Sequence, residues 1–143
     1  MVVMFVVPGE PQGKGRPRFA KRGNFVTTYT PDKTVIYENL IKCEYERHCG
    51  GYRFKDDEPL RVEIVAVCAI PKSVSKKKRH DMIHGRIRPT KKPDCDNIVK
   101  CYLDALNDVA YKDDTQVVTC AINKLYGEEP HTYVTISNIP EED

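Results

Sequence analysis

The sequence predicts one α/β (α+β) domain, residues 1–143, in which a mixed β-sheet packs with two main helices. Apolar runs typical of strands alternate with amphipathic stretches in the order β-β-α-β-α-β-β, and a basic segment precedes the second helix. A chain of 143 residues, 40% of them hydrophobic, is long enough to build one core. We see no repeat or linker that would divide it.

The first half of the chain is predicted to supply two strands and one main helix. The continuous apolar run Val2–Val7 predicts a central strand, and Phe25–Tyr29 predicts a shorter one. A helix is expected from Thr30, its N-cap, to about His48, where two glycines follow. Between the two strands, Gly13–Phe19 is predicted to be a basic loop whose glycines allow close backbone approach.

The second half is predicted to supply three strands and the second main helix. Leu60–Ile70 is apolar on both faces and therefore predicts a strand in the middle of the sheet. A short basic helix is expected between Ser73 and Gly85, and a main helix from Asp94 to about Asp108. Gln116–Tyr126 and His131–Ile139, joined by a Gly-Glu-Glu-Pro turn, predict a hairpin.

The formal net charge of +2 conceals a strong segregation of charge along the chain. Lys72–Lys92 holds nine basic residues and one acidic residue, and Lys14–Arg22 holds five basic residues and no acidic one. By contrast, Pro93–Asp143 holds eleven acidic and three basic residues. Two basic stretches joined to an acidic remainder indicate a polyanionic partner beside a carboxylate site.

The six cysteines and the apolar runs indicate a cytoplasmic protein without a membrane anchor. The sequence contains no C-x-x-C pair and no secretion signal, so we expect reduced, buried, structural thiols. The longest apolar stretches, Met1–Pro8 and Val62–Pro71, are shorter than the roughly 20 residues of a membrane-spanning helix. The acidic tail Glu141–Asp143 is expected to be disordered.

The second main helix carries one narrow polar stripe on an otherwise apolar surface. At about 100° per residue, the stripe contains Asp96, Asn97, Lys100, Asp104 and Asn107. One interpretation is a solvated outer face with an Asp–Lys pair. The alternative is a functional site.

Three details favour a site. Asp94 and Asp96 are two residues apart, so in an extended segment their side chains lie on one side, and Lys100 follows one helical turn later. A further pair, Asp113 and Asp114, precedes an apolar strand. Converging carboxylates are typical ligands of Mg²⁺ or Mn²⁺, and a nearby lysine could stabilise the charge that develops during phosphodiester cleavage.

These residues resemble the signature of the RusA-type Holliday junction resolvases. The resemblance rests on Lys92–Lys100, Leu103–Asn107 and Tyr111–Val118, and it covers nearly the whole chain in the right order. In addition, Gly13–Arg18 and Ile70–Lys92 resemble the branch of the family that is common in phage and prophage genomes of Gram-positive bacteria.

The resemblance implies a small homodimeric endonuclease that cuts four-way DNA junctions by paired, symmetric nicks with Mg²⁺ or Mn²⁺, in DNA recombination and repair. By motif position, Asp94, Asp96 and Asp114 would be the metal-binding catalytic carboxylates and Lys100 the essential lysine. Asp113 would be a neighbour that could add a ligand. The basic side chains expected to contact DNA are Lys14, Arg16, Arg18, Lys76, Lys77, Lys78, Arg79, Arg86, Arg88, Lys91 and Lys92.

Two other functions remain compatible with the residues. The first is a non-catalytic DNA-binding accessory protein, although carboxylates that face DNA are costly without a metal. The second is a metal-dependent nuclease with another substrate, such as flaps, replication forks or mismatched duplex. The sequence does not separate this last function from junction cleavage.

Overall fold

Six strands and three α-helices make up residues 1–140, the part of the chain that the computed structural model describes. The predicted disordered tail, Glu141–Asp143, lies outside the described residues. The elements are β1 (Val2–Pro8), β2 (Arg18–Arg22), β3 (Phe25–Tyr29), α1 (Asp32–Cys49), β4 (Leu60–Ala69), α2 (Lys76–Ile83), α3 (Cys95–Ala105), a short 3₁₀ helix (Asp114–Gln116), β5 (Val117–Gly127) and β6 (His131–Asn138). This mixture confirms the predicted fold class.

Four strands form a mixed sheet in the order β1-β6-β4-β5. β4 pairs antiparallel with β6 and parallel with β5, so it is central, as its two apolar faces predicted. In register, Phe5 of β1 lies beside Val134 of β6, which lies beside Ile64 of β4. This row belongs to the buried cluster that the sheet shares with α1 and α3.

β1 is an edge strand, so the prediction that Val2–Val7 forms a central strand is wrong. β1 pairs with β6 on one side. Val3, Phe5 and Val7 are buried, whereas Val2 and Met4 on the opposite face are 58% and 54% exposed. A continuous apolar run does not reveal whether a strand pairs on one side or on both, nor that one of its faces lacks a covering layer.

The predicted hairpin of the last two strands is also wrong, although both strands exist. β5 and β6 lie on opposite sides of β4 instead of pairing with each other. Strands separated by one intervening strand are about 10 Å apart, a distance that the three connecting residues can span. β5 approaches β4 closely, because a Cβ added at Gly127 would lie 2.6 Å from Val67 Cγ1.

The long helix α1 follows its prediction closely. Tyr37, Ile41 and Tyr45 are buried, and the helix ends at Gly50, whose φ of 60° is left-handed and whose N–H donates to the Glu46 carbonyl at 2.9 Å. The predicted N-cap is displaced by one residue. Pro31, not Thr30, occupies that position, and no side chain caps the helix.

The strand β2 was not predicted, because Arg18–Arg22 reads as part of a loop and a turn. It pairs antiparallel with β3 in a separate two-stranded sheet. The predicted basic helix is present as α2, where Ser75 Oγ accepts a hydrogen bond from the Lys78 N–H at 3.2 Å. Gly85, with φ of 75°, follows the end of α2.

The cysteines are free thiols, but not all are buried as predicted. Cys68 and Cys101 are buried, whereas Cys43, Cys95 and Cys120 are exposed, so the prediction is wrong for these three. Burial raises the pKa of the Cys101 thiol to about 12. None of the helices within residues 1–140 combines the length and the apolar character needed to cross a membrane.

Candidate active site

The helix α3 presents its polar stripe because its opposite face is fixed in the core. Ile98, Cys101 and Tyr102 are buried, as the predicted apolar face requires. The Tyr102 hydroxyl also lies 2.6 Å from the Tyr37 hydroxyl, which joins α3 to α1 through a buried hydrogen bond. α3 therefore holds its polar side chains on a rigid support.

The loop between β1 and β2 lies directly against α1 and α3. The Lys14 N–H donates to the Asn97 carbonyl at 3.0 Å, and the Gly15 N–H donates to Thr34 Oγ1 at 2.9 Å. A Cβ added at Gly13 would lie 2.8 Å from Asn97 Cβ, and one added at Gly15 would overlap Thr34 Oγ1. The close approach expected of these glycines is thus an approach to the protein's own helices.

A groove of about 1190 Å³ runs between this loop and the residues that precede α3. Its basic lining residues are Lys14, Arg16, Arg18, Lys33, Lys91 and Lys92. Glu10, Asp94 and Asn97 also line it. The groove therefore brings parts of both basic stretches to the predicted catalytic carboxylate Asp94. We call it the basic groove.

The other six predicted DNA-contacting residues lie outside the lining of the basic groove. Lys76–Lys78 are exposed on α2. Arg79 and Arg86 form ion pairs with acidic neighbours at 3.4 and 3.2 Å, and Arg88 Nε donates to a backbone carbonyl of β5 at 2.8 Å. These arginines take part in contacts within the chain, and their DNA-binding role stays a prediction.

Asp104 lies at the centre of a charged cluster that includes the groove residue Lys14. Its Oδ2 is 3.3 Å from Lys14 Nζ and 3.5 Å from Lys100 Nζ, and Lys14 Nζ is also 2.5 Å from Glu38 Oε1. Partial burial lowers the pKa of Lys14, but the hydrogen bonds and charges of Glu38 and Asp104 outweigh it and leave that pKa above its usual value. Lys14 is therefore held as a cation. We call these four residues the Asp104 cluster.

Asp114 is positioned beside this cluster by the turn that follows α3. Its backbone N–H donates to Asn107 Oδ1 at 2.8 Å. Burial raises the pKa of Asp114, the charges of the neighbouring Asp113 and Asp104 raise it further, and Lys100 opposes the shift. Asp104 and Asp114 are thus adjacent carboxylates near the end of α3.

Asp113 has the contacts of a turn-forming residue. Its Oδ2 accepts a hydrogen bond from the Thr115 hydroxyl at 2.7 Å, and it forms a capping box with Gln116. The Thr115 hydrogen bond is the main cause that lowers the pKa of Asp113. Gln116 Nε2 in turn donates to the Lys55 carbonyl at 2.8 Å, which anchors the turn that carries Asp114.

The predicted metal ligands come from two elements, the start of α3 and the short 3₁₀ helix that follows it. Asp94 and Asp96 lie at the start of α3, whereas Asp114 begins the short 3₁₀ helix, where the charges of Asp104 and Lys100 act on it. Carboxylate oxygens suit Mg²⁺. However, within residues 1–140 no three His, Cys, Asp or Glu side chains lie together closely enough to hold an ion. The ligand set Asp94, Asp96 and Asp114 stays a prediction.

The sequence did not single out Asp104, Glu38 or Asn107 as parts of the site. Asp104 and Asn107 were on the polar stripe, so the helical wheel could have included them. Glu38 lies on α1, and no spacing in the sequence connects it with Lys14. Only the packing of α1 beside α3 brings its carboxylate into the cluster.

Comparisons with known proteins identify the family of the chain. The family model described as endodeoxyribonuclease RusA matches residues 8–137, a range that includes the basic groove and the whole Asp104 cluster. The chain is also 37% identical, over 139 residues and 96% of both chains, to the uncharacterized protein YqaN of Bacillus subtilis (strain 168). On this evidence the chain belongs to the RusA endodeoxyribonuclease family.

Proposed function

We propose that this chain resolves four-way DNA junctions by paired, symmetric nicks, as a cytoplasmic enzyme of DNA recombination and repair. The observation that carries the proposal is the basic groove. Its arginines and lysines suit a phosphate backbone, and Asp94, at the start of α3, lies within the same groove. DNA held there would have a phosphodiester bond close to the residues of the family motif.

Within this proposal, the groove binds DNA and the polar stripe of α3 performs the chemistry. We propose that Asp94, Asp96 and Asp114 provide the oxygen ligands of Mg²⁺ or Mn²⁺, which DNA cleavage would require. Lys100 is exposed on the same stripe and pairs with Asp104 at 3.5 Å. Its ammonium group would stabilise negative charge on the phosphate.

We further propose that the active form is a homodimer. A four-way junction offers two equivalent strands, and two copies related by a two-fold axis would place one site on each. Paired nicks at symmetric positions need this arrangement. A single copy would leave half of the junction uncut after one event.

A cleavage assay on matched substrates tests the proposal. The chain is incubated with a synthetic four-way junction, a linear duplex, a flap and a fork, each with Mg²⁺, with Mn²⁺ or with EDTA. We expect paired nicks in the junction alone, and only with a divalent cation. Cleavage of the flap or fork in preference to the junction would indicate the alternative nuclease, and binding without cleavage under every condition would indicate an accessory protein.

A further inference from the structure

The hairpin of β2 and β3 carries an exposed aromatic surface that the proposed chemistry does not use. Each residue of Phe25–Tyr29 is exposed. Phe19, Phe25 and Tyr29 expose 73%, 76% and 49% of their surface. Among residues 1–140, no member of the buried core cluster comes from this hairpin. A two-stranded ribbon is marginally stable in water on its own, and its exposed rings suggest a partner.

The register places arginines and aromatic rings together on one face of the hairpin. Arg18 lies opposite Tyr29, and Arg22 lies opposite Phe25. Residues that are directly opposite in an antiparallel pair share a face, and so do positions four apart in one strand. One face therefore holds two arginine–aromatic pairs, about 13 Å apart along the strands. We call it the arginine–aromatic face.

The arginine–aromatic face is continuous with the basic groove. Arg18 lines the groove together with Lys91 and Lys92, and it also begins β2. The hairpin contains three basic residues, Arg18, Lys21 and Arg22, and no acidic one. A polyanion that extends beyond the groove past Arg18 would therefore contact the arginine–aromatic face.

We infer that the arginine–aromatic face holds the branch point of the DNA, an inference that rests on the proposed function. Arg18 and Arg22 contact backbone phosphates, and Phe25 and Tyr29 stack on bases that become accessible where the arms exchange strands. Stacking on aromatic side chains tolerates any base, because every base has a π-face. Regular duplex keeps its bases stacked on each other, so only branched or unpaired DNA gains this contact.

A second copy of the chain is the other occupant that such a face could accept. Charge argues against it. Two hairpins in contact would bring their basic side chains together without an acidic residue between Arg18 and Tyr29 to pair with them. DNA offers phosphates that neutralise the arginines and bases that stack on the aromatic rings.

Photocrosslinking tests the inference directly. A four-way junction carries 5-iodouracil at the branch point, and a second junction carries it in the middle of one arm. Each is bound by the full chain in EDTA, so that cleavage does not occur, and then irradiated. The crosslinked residue is identified by mass spectrometry. The variants are Phe25→Ala/Tyr29→Ala and, as a matched control, Phe19→Ala, which removes an equally exposed ring from the opposite face.

We expect crosslinks from the branch point to Phe25 or Tyr29, and none to either residue from the mid-arm probe. The double variant should lose these crosslinks and bind the junction at least tenfold more weakly, while its affinity for duplex changes less than about threefold. Phe19→Ala should keep the branch-point crosslinks and the affinity for the junction. None of these rings is in the core, so the variants should fold.

Three results would overturn the inference: branch-point crosslinks that map elsewhere, a double variant that binds junctions as the wild type does, or a double variant that changes the oligomeric state. Junction cleavage by the wild type with Mg²⁺ is measured separately. If the wild type cuts junctions but the double variant keeps its affinity, the inference fails and the proposed function stands. If the crosslinks form but the wild type cuts no junction, the inference stands and the proposed cleavage function fails.

Discussion

Lys14 and Asp104 are joined by an ion pair in which Nζ lies 3.3 Å from Oδ2, although they are far apart in the chain. This contact connects the basic loop after β1 with the helix α3. Lys100 pairs with the same carboxylate oxygen at 3.5 Å. The ion pair therefore relates the groove to the essential lysine predicted from the family motif.

Lys14 should matter for cleavage more than for binding. Its ammonium group is already held by Glu38 and Asp104, so Lys14→Met should change the salt dependence of junction binding less than the loss of an unpaired groove cation does. The two carboxylates would lose their partner, which should lower the free energy of unfolding by about 1–3 kcal/mol and reduce cleavage at least tenfold. Arg16→Met, a change in an exposed groove residue, should instead lower the salt slope by about 0.9. An equal loss of slope in Lys14→Met would show that Lys14 contacts phosphate.

The lysines that precede α3 should contribute binding that salt screens. Lys91→Ala/Lys92→Ala removes two charges from the groove and should weaken junction binding about tenfold or more at low salt. The loss should shrink as the salt concentration rises. Lys42→Ala, an exposed lysine of α1, serves as the control and should change little. Fluorescence anisotropy across a salt series measures these differences, and an equal effect of the control would contradict the placement of DNA in the groove.

The docking of the loop should depend on the absence of a side chain at Gly13. Gly13→Ala places a Cβ 2.8 Å from Asn97 Cβ, which should cost about 1–3 kcal/mol and lower both the melting temperature and the cleavage rate. Asn97→Gly in the same chain removes the opposing Cβ and should recover part of the lost melting temperature. If Gly13→Ala melts and cuts like the wild type, the loop is not held against α3.

Cys95 offers a native probe of the DNA position. It is exposed between Asp94 and Asp96, whereas Cys43 is exposed on α1. Saturating junction DNA should slow alkylation of Cys95 at least fivefold and leave Cys43 unaffected. Cys101, buried and with its pKa raised to about 12, should stay unmodified in both states. Alkylation of Cys95 at the same rate with and without DNA would place the DNA elsewhere.

Most strands and helices of this fold could be predicted from the sequence, but the order in which the strands pair could not. Leu60–Ile70 was recognisable as central because both faces are apolar, and β4 has that position. Val2–Val7 has a similar composition and forms an edge. The turn between β5 and β6 is compatible with a hairpin and equally with the crossing of β4. Strand order depends on pairing between distant segments, which local patterns do not specify.

The candidate site shows the same division. Helical periodicity predicts the polar stripe of α3, and the two basic stretches predict a basic surface for a polyanionic partner. The contact of Lys14 with Glu38 and Asp104 was not predicted, since it arises from the packing of a loop on two helices. β2 was missed because basic residues at Lys21 and Arg22 precede a glycine and suggest a turn, and only pairing with β3 makes them a strand.

The most direct test of the central claim is junction binding and cleavage by Asp96→Asn. We predict that this variant binds the four-way junction within about threefold of the wild type and cuts it at least about a thousandfold more slowly with Mg²⁺, because it lacks a proposed ligand of the ion while the groove is intact. Asp108→Asn, an exposed acid after α3, is the matched control and should keep both activities. Cleavage by Asp96→Asn at the wild-type rate, or a parallel loss of binding and cleavage, would contradict the account.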